Sequence, residues 1–292
     1  MRSEQEMLEL ILGTARDDER IRAVYLNGSR ANPNAPKDIF RDFDIVYVVT
    51  DTAPFLTDRH WIDRFGKILL MEEPDQLDLI LGENLDFTQR YAWLMQFDDG
   101  NRIDLSILTK TALQKEFGSD SLTVVLLDKD ALLPEIPVAN DGDYLVQRPT
   151  QAIFDCRCID FYWVTPYIAK GLWRNELLYA LDCFQNPKFK LITMLNWLVG
   201  TETDFTVSTG KSGKYLKNYL PPQIWQKLLT TYPSGDPASI WQALFSMMDL
   251  FDETARQVAD QMHFTYDAKQ AQNSLGFVRH IHELSPDAKE IY

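Results

Sequence analysis

Two aspartates stand one residue apart in Asp42-Phe43-Asp44-Ile45-Val46-Tyr47-Val48-Val49, a β-branched and aromatic run suited to a buried strand. Side chains alternate across a strand, so Asp42 and Asp44 face one way while Phe43 and Ile45 face the other. Neighbouring carboxylates on one face repel each other, and their natural counter-charge is a hard divalent cation. A third carboxylate is available at Asp104, in Arg102-Ile103-Asp104-Leu105-Ser106-Ile107-Leu108. That run alternates polar and apolar residues and puts Asp104 on one side with Arg102 and Ser106. Asp98-Asp99-Gly100-Asn101, just before it, is a hairpin-turn signature with residues 91–97 as the other arm. If the two Asp-bearing strands lie side by side, three carboxylates on one edge can hold two Mg²⁺ ions for in-line phosphoryl or nucleotidyl transfer.

The residues before this pair complete a phosphate site. Residues 21–27 read as a strand that Gly28 interrupts, where a side chain would obstruct the approach of a phosphate. Ser29 can donate its hydroxyl to that phosphate, and the amides that follow can add to it. Arg30 is a chemically reasonable neighbour for a triphosphate. Pro33 and Pro36 predict a loose connection, not a regular helix, between Gly28-Ser29 and Asp42.

Gly28-Ser29, Asp42-x-Asp44 and a later strand aspartate, Asp104, resemble the polymerase-β-type nucleotidyltransferase superfamily. The longer string Asn27-Gly28-Ser29-Arg30-Ala31-Asn32-Pro33-Asn34, running on to Asp42-Phe43-Asp44-Ile45-Val46, is similar to the aminoglycoside 6-adenylyltransferases, which inactivate streptomycin. So are Leu94-Met95-Gln96-Phe97 leading to Asp99-Gly100-Asn101-Arg102-Ile103-Asp104-Leu105, Tyr167-Ile168-Ala169-Lys170-Gly171-Leu172-Trp173-Arg174, and Gly210-Lys211-Ser212-Gly213-Lys214. The likeness covers nearly the whole chain. It implies ATP as a substrate, Mg²⁺ on the three aspartates, and the 6-hydroxyl of streptomycin as acceptor. It also makes Lys170 and Arg174 candidates for triphosphate contacts, because this region faces the cleft in that family. The rival readings are adenylylation of another small-molecule or protein hydroxyl, and a nucleotide-binding protein without turnover.

Composition agrees with a small-molecule enzyme. A chain of 292 residues can hold two domains with real cores, and 45% hydrophobic with 25% charged residues is ordinary globular material. A net charge of −14 argues against a nucleic-acid partner, whose affinity draws on Lys and Arg at phosphates. An acidic surface does suit a polycationic small molecule. Cys156, Cys158 and Cys183 lack metal-ligand spacing. The first residues lack the apolar core of a signal peptide, and no stretch approaches a membrane span, so the expectation is a reduced, cytoplasmic monomer.

The fold class expected is α/β followed by α. Residues 1–135 form a nucleotidyltransferase domain with a mixed β-sheet and flanking helices, 136–149 a proline-rich acidic linker, and 150–292 a helical bundle, with the active cleft between the domains. A capping box, Ser3 with Glu6, opens a first helix ending near Asp17. Residues 59–71 read as a helix, 76–82 as a short strand and 122–127 as the last strand. From Thr150 a long aromatic helix runs through Pro166. Residues 174–185 read as a helix that buries Leu177, Leu181 and Phe184 and turns Tyr179 and Asp182 outward. Asp182 or Glu176 can take the acceptor's proton or pair with a guanidinium sugar. Gly210-Lys211-Ser212 is not a Walker A motif, since Phe205 stands where its first glycine belongs. Lys211, Lys214 and Lys217 form a basic cluster predicted on a helix from Ser212, with Lys211 and Lys214 as further candidates for the triphosphate. Residues 223–231, 237–262 and 267–283 read as amphipathic helices.

Overall fold

The computed structural model describes residues 1–292. They divide into two units, Met1–Asp143 and Tyr144–Tyr292.

The first unit opens with α1 (Glu4–Asp17). The Ser3 side chain accepts from the Glu6 amide while Glu6 answers at the Ser3 amide, satisfying two donors that a helix start leaves open. Met7, Ile11 and Ala15 bury its inner face, and the Ile11 carbonyl accepts from the Tyr47 hydroxyl at 2.7 Å. After α1 come β1 (Ile21–Asn27), β2 (Phe43–Val49), α2 (Ala53–Thr57), β3 (Ile68–Glu72), α3 (Pro74–Ile80), β4 (Arg90–Phe97), β5 (Arg102–Thr109), α4 (Lys110–Glu116) and β6 (Val124–Asp128). The six strands form one sheet in the order β3-β4-β5-β2-β1-β6. Only β2 and β5 run parallel; every other pair is antiparallel.

The sheet is mixed, and its two faces differ. One is covered by α1 and an aromatic cluster in which Phe43, Tyr47, Trp61, Phe65 and Phe97 are fully buried. The other carries Tyr25, Val46, Val48 and Leu108 against Ala112 and Leu113 of α4, and is covered over that half only. Burying side chains of this size stabilises by roughly 1.5–3 kcal/mol each, which fixes which residues of β2 and β5 point outward. Asp44 and Asp104 are on the second face, beyond the part that α4 covers.

The second unit is helical: α5 (Gln151–Trp173), α6 (Leu177–Glu202), α7 (Pro222–Thr230), α8 (Pro237–Met262) and α9 (Ala268–Glu283). Helix α5 packs on α6 and α9, and α6 on α8. Phe161 of α5 stacks on Phe251 of α8 with ring centres 3.7 Å apart. Pro166 lies inside α5, where it leaves the Tyr162 carbonyl without its helical donor. Hydroxyls of Ser274 (2.9 Å) and Thr165 (3.3 Å) donate to that carbonyl instead, so the helix continues. No helix is long and apolar enough to cross a membrane, and all three cysteines are free.

Four sequence expectations are corrected. Residues 59–71 are not one helix: a short 3₁₀ segment, Trp61–Phe65, ends at Gly66 with φ of 135°, and Ile68–Glu72 pairs with β4. The apolar spacing of the first half is helical, but Gly66 and a distant strand partner decide the second half. Residues 76–82 are helix, not strand, because Pro74 at the first helical turn and Gly82 at φ of 100° supply start and stop signals that the alternation of Leu77, Leu79 and Leu81 masked. The lysines 211, 214 and 217 lie on two 3₁₀ turns, since Gly210, Ser212 and Gly213 all take positive φ and break a helix there. The helix expected at 174–185 also runs on to Glu202 through Pro187.

Candidate active site

Register brings the acids together. Asp44 faces Asn27 of β1 on one side and Asp104 of β5 on the other, and such facing partners present side chains on the same face. Asp42 immediately precedes β2. Carboxylate oxygens of Asp42, Asp44 and Asp104, all half-buried, lie within 4.8 Å of one another. Burial first, then the charges of Asp42 and Asp104, push the Asp44 carboxyl up to about 7. The charges of Arg102 and Arg30 offset this only in part, so the group is reluctant to ionise.

Gly28 explains how the acids fit beside the chain. It takes φ of 72° at the start of a 3₁₀ turn, Gly28–Arg30, and a Cβ built on it would lie 2.1 Å from Oδ2 of Asp44. Only glycine leaves room for the carboxylate there and adopts that backbone without strain. The loop that follows, to Asp42, is irregular, as its two prolines predict. Asn27 itself is held by the Thr123 hydroxyl, which donates to its side-chain oxygen at 3.0 Å.

Two features were not singled out in the sequence. Arg102 donates from Nε and Nη2 to both oxygens of Asp104, at 2.6 and 2.8 Å, and its Nε is 4.0 Å from Asp42. Its position two before Asp104 on an alternating strand is the signal that points to it. The second is a brace around the loop. Arg30 donates to the carbonyls of Asp42 (2.8 Å) and Arg41 (2.7 Å), lies 3.6 Å over the Phe43 ring, and pairs with Glu4 at 3.1 Å. Arg41 pairs with the same Glu4 at 3.6 Å and donates to the Ser29 carbonyl at 3.5 Å. The Arg30 side chain is only 7% exposed, and its guanidinium is engaged in holding Arg41 and Asp42 in place.

The other candidates belong to the second unit. Lys170, on α5, lies over the rings of Tyr167 and Phe277. Arg174 caps α5 and pairs with Glu176 at 3.8 Å. Asp182 is exposed on α6. Lys211 and Lys214 are exposed on their turn, with Lys214 over the Tyr215 ring at 4.9 Å.

The donor set is all carboxylate oxygen, which suits a hard divalent cation such as Mg²⁺ and not a soft metal. The elevated Asp44 carboxyl, beside two further carboxylates, fits such an occupant. A mixed sheet carrying three convergent carboxylates beside a glycine-serine corner is an arrangement that suits nucleotidyl transfer.

Comparison with known proteins narrows the class. The family described as streptomycin adenylyltransferase matches residues 1–281, and the chain belongs to that family. It is 38% identical to an aminoglycoside 6-adenylyltransferase of Campylobacter jejuni, over 91% of both chains. It is 36% identical to one from Bacillus subtilis (strain 168), over 91% of this chain and 93% of that one. A crystal structure of an aminoglycoside 6-adenyltransferase from Bacillus subtilis aligns over 97% of this chain and 100% of its own, at 30% identity and a TM-score of 0.48.

Proposed function

We propose that this enzyme transfers AMP from ATP to the 6-hydroxyl of streptomycin, releasing pyrophosphate and inactivating the antibiotic in the cytoplasm. The observation that carries the reading is the convergence of Asp42, Asp44 and Asp104 beside Gly28-Ser29 in a chain of this family.

In this reading the Ser29 hydroxyl and the amides after Gly28 hold phosphate oxygens, because a glycine corner lets them approach the backbone. Arg30 and Arg41 keep that corner and Asp42 in fixed register. Asp42, Asp44 and Asp104 would hold Mg²⁺, which when bound offsets the charge of the carboxylates and of the transferring phosphate. The acceptor oxygen forms a bond to the α-phosphorus as the bond to the bridging oxygen of pyrophosphate breaks, and the acceptor's proton passes to a carboxylate, for which Asp182 is proposed. Lys170, Arg174, Lys211 and Lys214 are proposed as further triphosphate contacts. The polyanionic surface favours encounter with a cationic acceptor.

The test is pyrophosphate release with ATP, Mg²⁺ and a panel of acceptors. Release with streptomycin supports the reading. Release only with other acceptors moves the reaction to another hydroxyl, and none with any acceptor contradicts it.

A further inference from the structure

The row of side chains that contains the carboxylates does not stop at Asp104. Asp104 faces Leu94 of β4, and Leu94 faces Glu72 of β3, while Arg102 faces Gln96 and Gln96 faces Leu70. Facing residues share a side of the sheet, so one open strip runs Gly28-Ser29, Asp44, Asp104, Leu94, Glu72. Strands are spaced about 4.8 Å apart, which sets Glu72 roughly 10 Å from Asp104 along that strip. Between them lies a trough of about 250 Å³ lined by Leu70, Met71, Glu72, Leu94, Gln96 and Arg102.

The direction of the reaction assigns the two ends of the strip. Gly28-Ser29, the phosphate corner, flanks Asp44 from the β1 side. In-line displacement at phosphorus puts the entering oxygen opposite the leaving group. With pyrophosphate leaving toward Gly28-Ser29, the acceptor must come from the β5 side, over the β4–β3 trough. Resting on the functional reading above, we propose that this trough is the acceptor subsite and that Glu72 pairs with a guanidinium or ammonium group of the acceptor.

The lining has the chemistry of such a ligand. Leu70 and Leu94 offer an apolar floor to the carbon face of a sugar or cyclitol ring. Gln96 donates its amide to the Asn101 carbonyl at 2.9 Å, which leaves its side-chain oxygen to accept from a ring hydroxyl. Arg102, bound to Asp104, repels a cationic group from the catalytic acids. Glu72, exposed at the far rim, holds no ion pair and draws that group outward. The acceptor is thereby oriented with its cation away from the triad and a hydroxyl toward it.

Glu72→Gln and Glu72→Lys test this by steady-state kinetics with streptomycin, and by calorimetric titration of streptomycin into the protein without ATP. Glu72 is an exposed edge-strand residue, so both variants are expected to fold. The expected result is a KM for streptomycin raised up to about fivefold in Glu72→Gln, the upper range of an exposed ion pair, and further in Glu72→Lys. The KM for ATP and the kcat at saturating acceptor should stay within twofold, and the calorimetric Kd should follow the acceptor KM. An unchanged acceptor KM and Kd, with active wild-type enzyme, overturns the subsite alone. A wild-type protein that adenylylates no aminoglycoside overturns the functional reading and the subsite with it.

Discussion

A side chain on Gly28 would place its Cβ 2.1 Å from Oδ2 of Asp44, so the glycine corner and the middle carboxylate of the triad share one space. The proposed phosphate corner and the proposed cation site would therefore act as a single unit, a change to either being felt by both.

Gly28→Ala is accordingly expected to reduce kcat/KM by two or more orders of magnitude, about 3 kcal/mol or more of transition-state stabilisation. The added methyl must displace the Asp44 carboxylate, and φ of 72° is strained for alanine. Because the loop is half-exposed, the stability cost should be smaller, about 1 kcal/mol. Kinetics alongside thermal unfolding would separate these, and near-wild-type activity would contradict the shared-space account.

Arg102 is held by Asp104 and sits 4.0 Å from Asp42, placing a fixed positive charge among the acids. Replacing it with Met removes that charge and the fork that aims Asp104. Divalent cations should bind several-fold more tightly, as read by Mn²⁺ calorimetry, while kcat falls at least tenfold because Asp104 loses its orientation. Weaker Mn²⁺ binding in Arg102→Met would mean that Arg102's main effect is to hold Asp104 in a binding geometry.

Glu4 ties the first helix to the site through Arg30 and Arg41. Being 56% exposed, it contributes little to stability, so Glu4→Gln should cost below about 1 kcal/mol. The same variant should raise the KM for ATP several-fold, with Glu4→Asp restoring part of it. Arg30→Ala is expected to be worse on both counts, since it leaves the Asp42 and Arg41 carbonyls without their donor.

The acid limb of stability has identifiable sources in the first unit. Hydrogen bonds from Arg20 hold the Asp18 carboxyl at about 2, against an ordinary 3.8, and those from Arg2 hold Asp99, in the β4–β5 turn, well below its usual range. A carboxyl lowered in the folded state stabilises fully above its unfolded value and loses that contribution as pH falls through the folded one. Unfolding free energy should therefore decline below about pH 4, between the ordinary and the depressed values. Asp99→Asn should be less stable by about 1 kcal/mol at pH 7 and show a shallower decline, measured by urea unfolding at a series of pH values.

How far the sequence discloses this arrangement differs from element to element. The alternation around Asp42, Asp44 and Asp104 is local information, and it was enough to put the acids on one face of the sheet. The parallel pairing that makes Asp44 and Asp104 neighbours joins strands sixty residues apart, and only the chemistry the acids could share points to it. Residues 59–71 and 76–82 depart from their apolar spacing because β3 exists through pairing with β4, while Gly66, Pro74 and Gly82 override that spacing. The brace of Glu4, Arg30 and Arg41 leaves no pattern in the chain, since its partners meet only when α1 and the 28–42 loop are in place. Arg30 reads from the chain as a reasonable neighbour for a triphosphate, and the structure adds what no local pattern discloses: bonds from its guanidinium to two backbone carbonyls and Glu4.

The most direct measurement of the central claim is mass spectrometry of streptomycin after incubation with the enzyme, ATP and Mg²⁺, in parallel for wild type and Asp44→Asn. The three-carboxylate account predicts a gain of one adenylyl group with wild type and none with the variant, whose circular dichroism should match wild type. Adenylylation by a folded Asp44→Asn at the wild-type rate would contradict it.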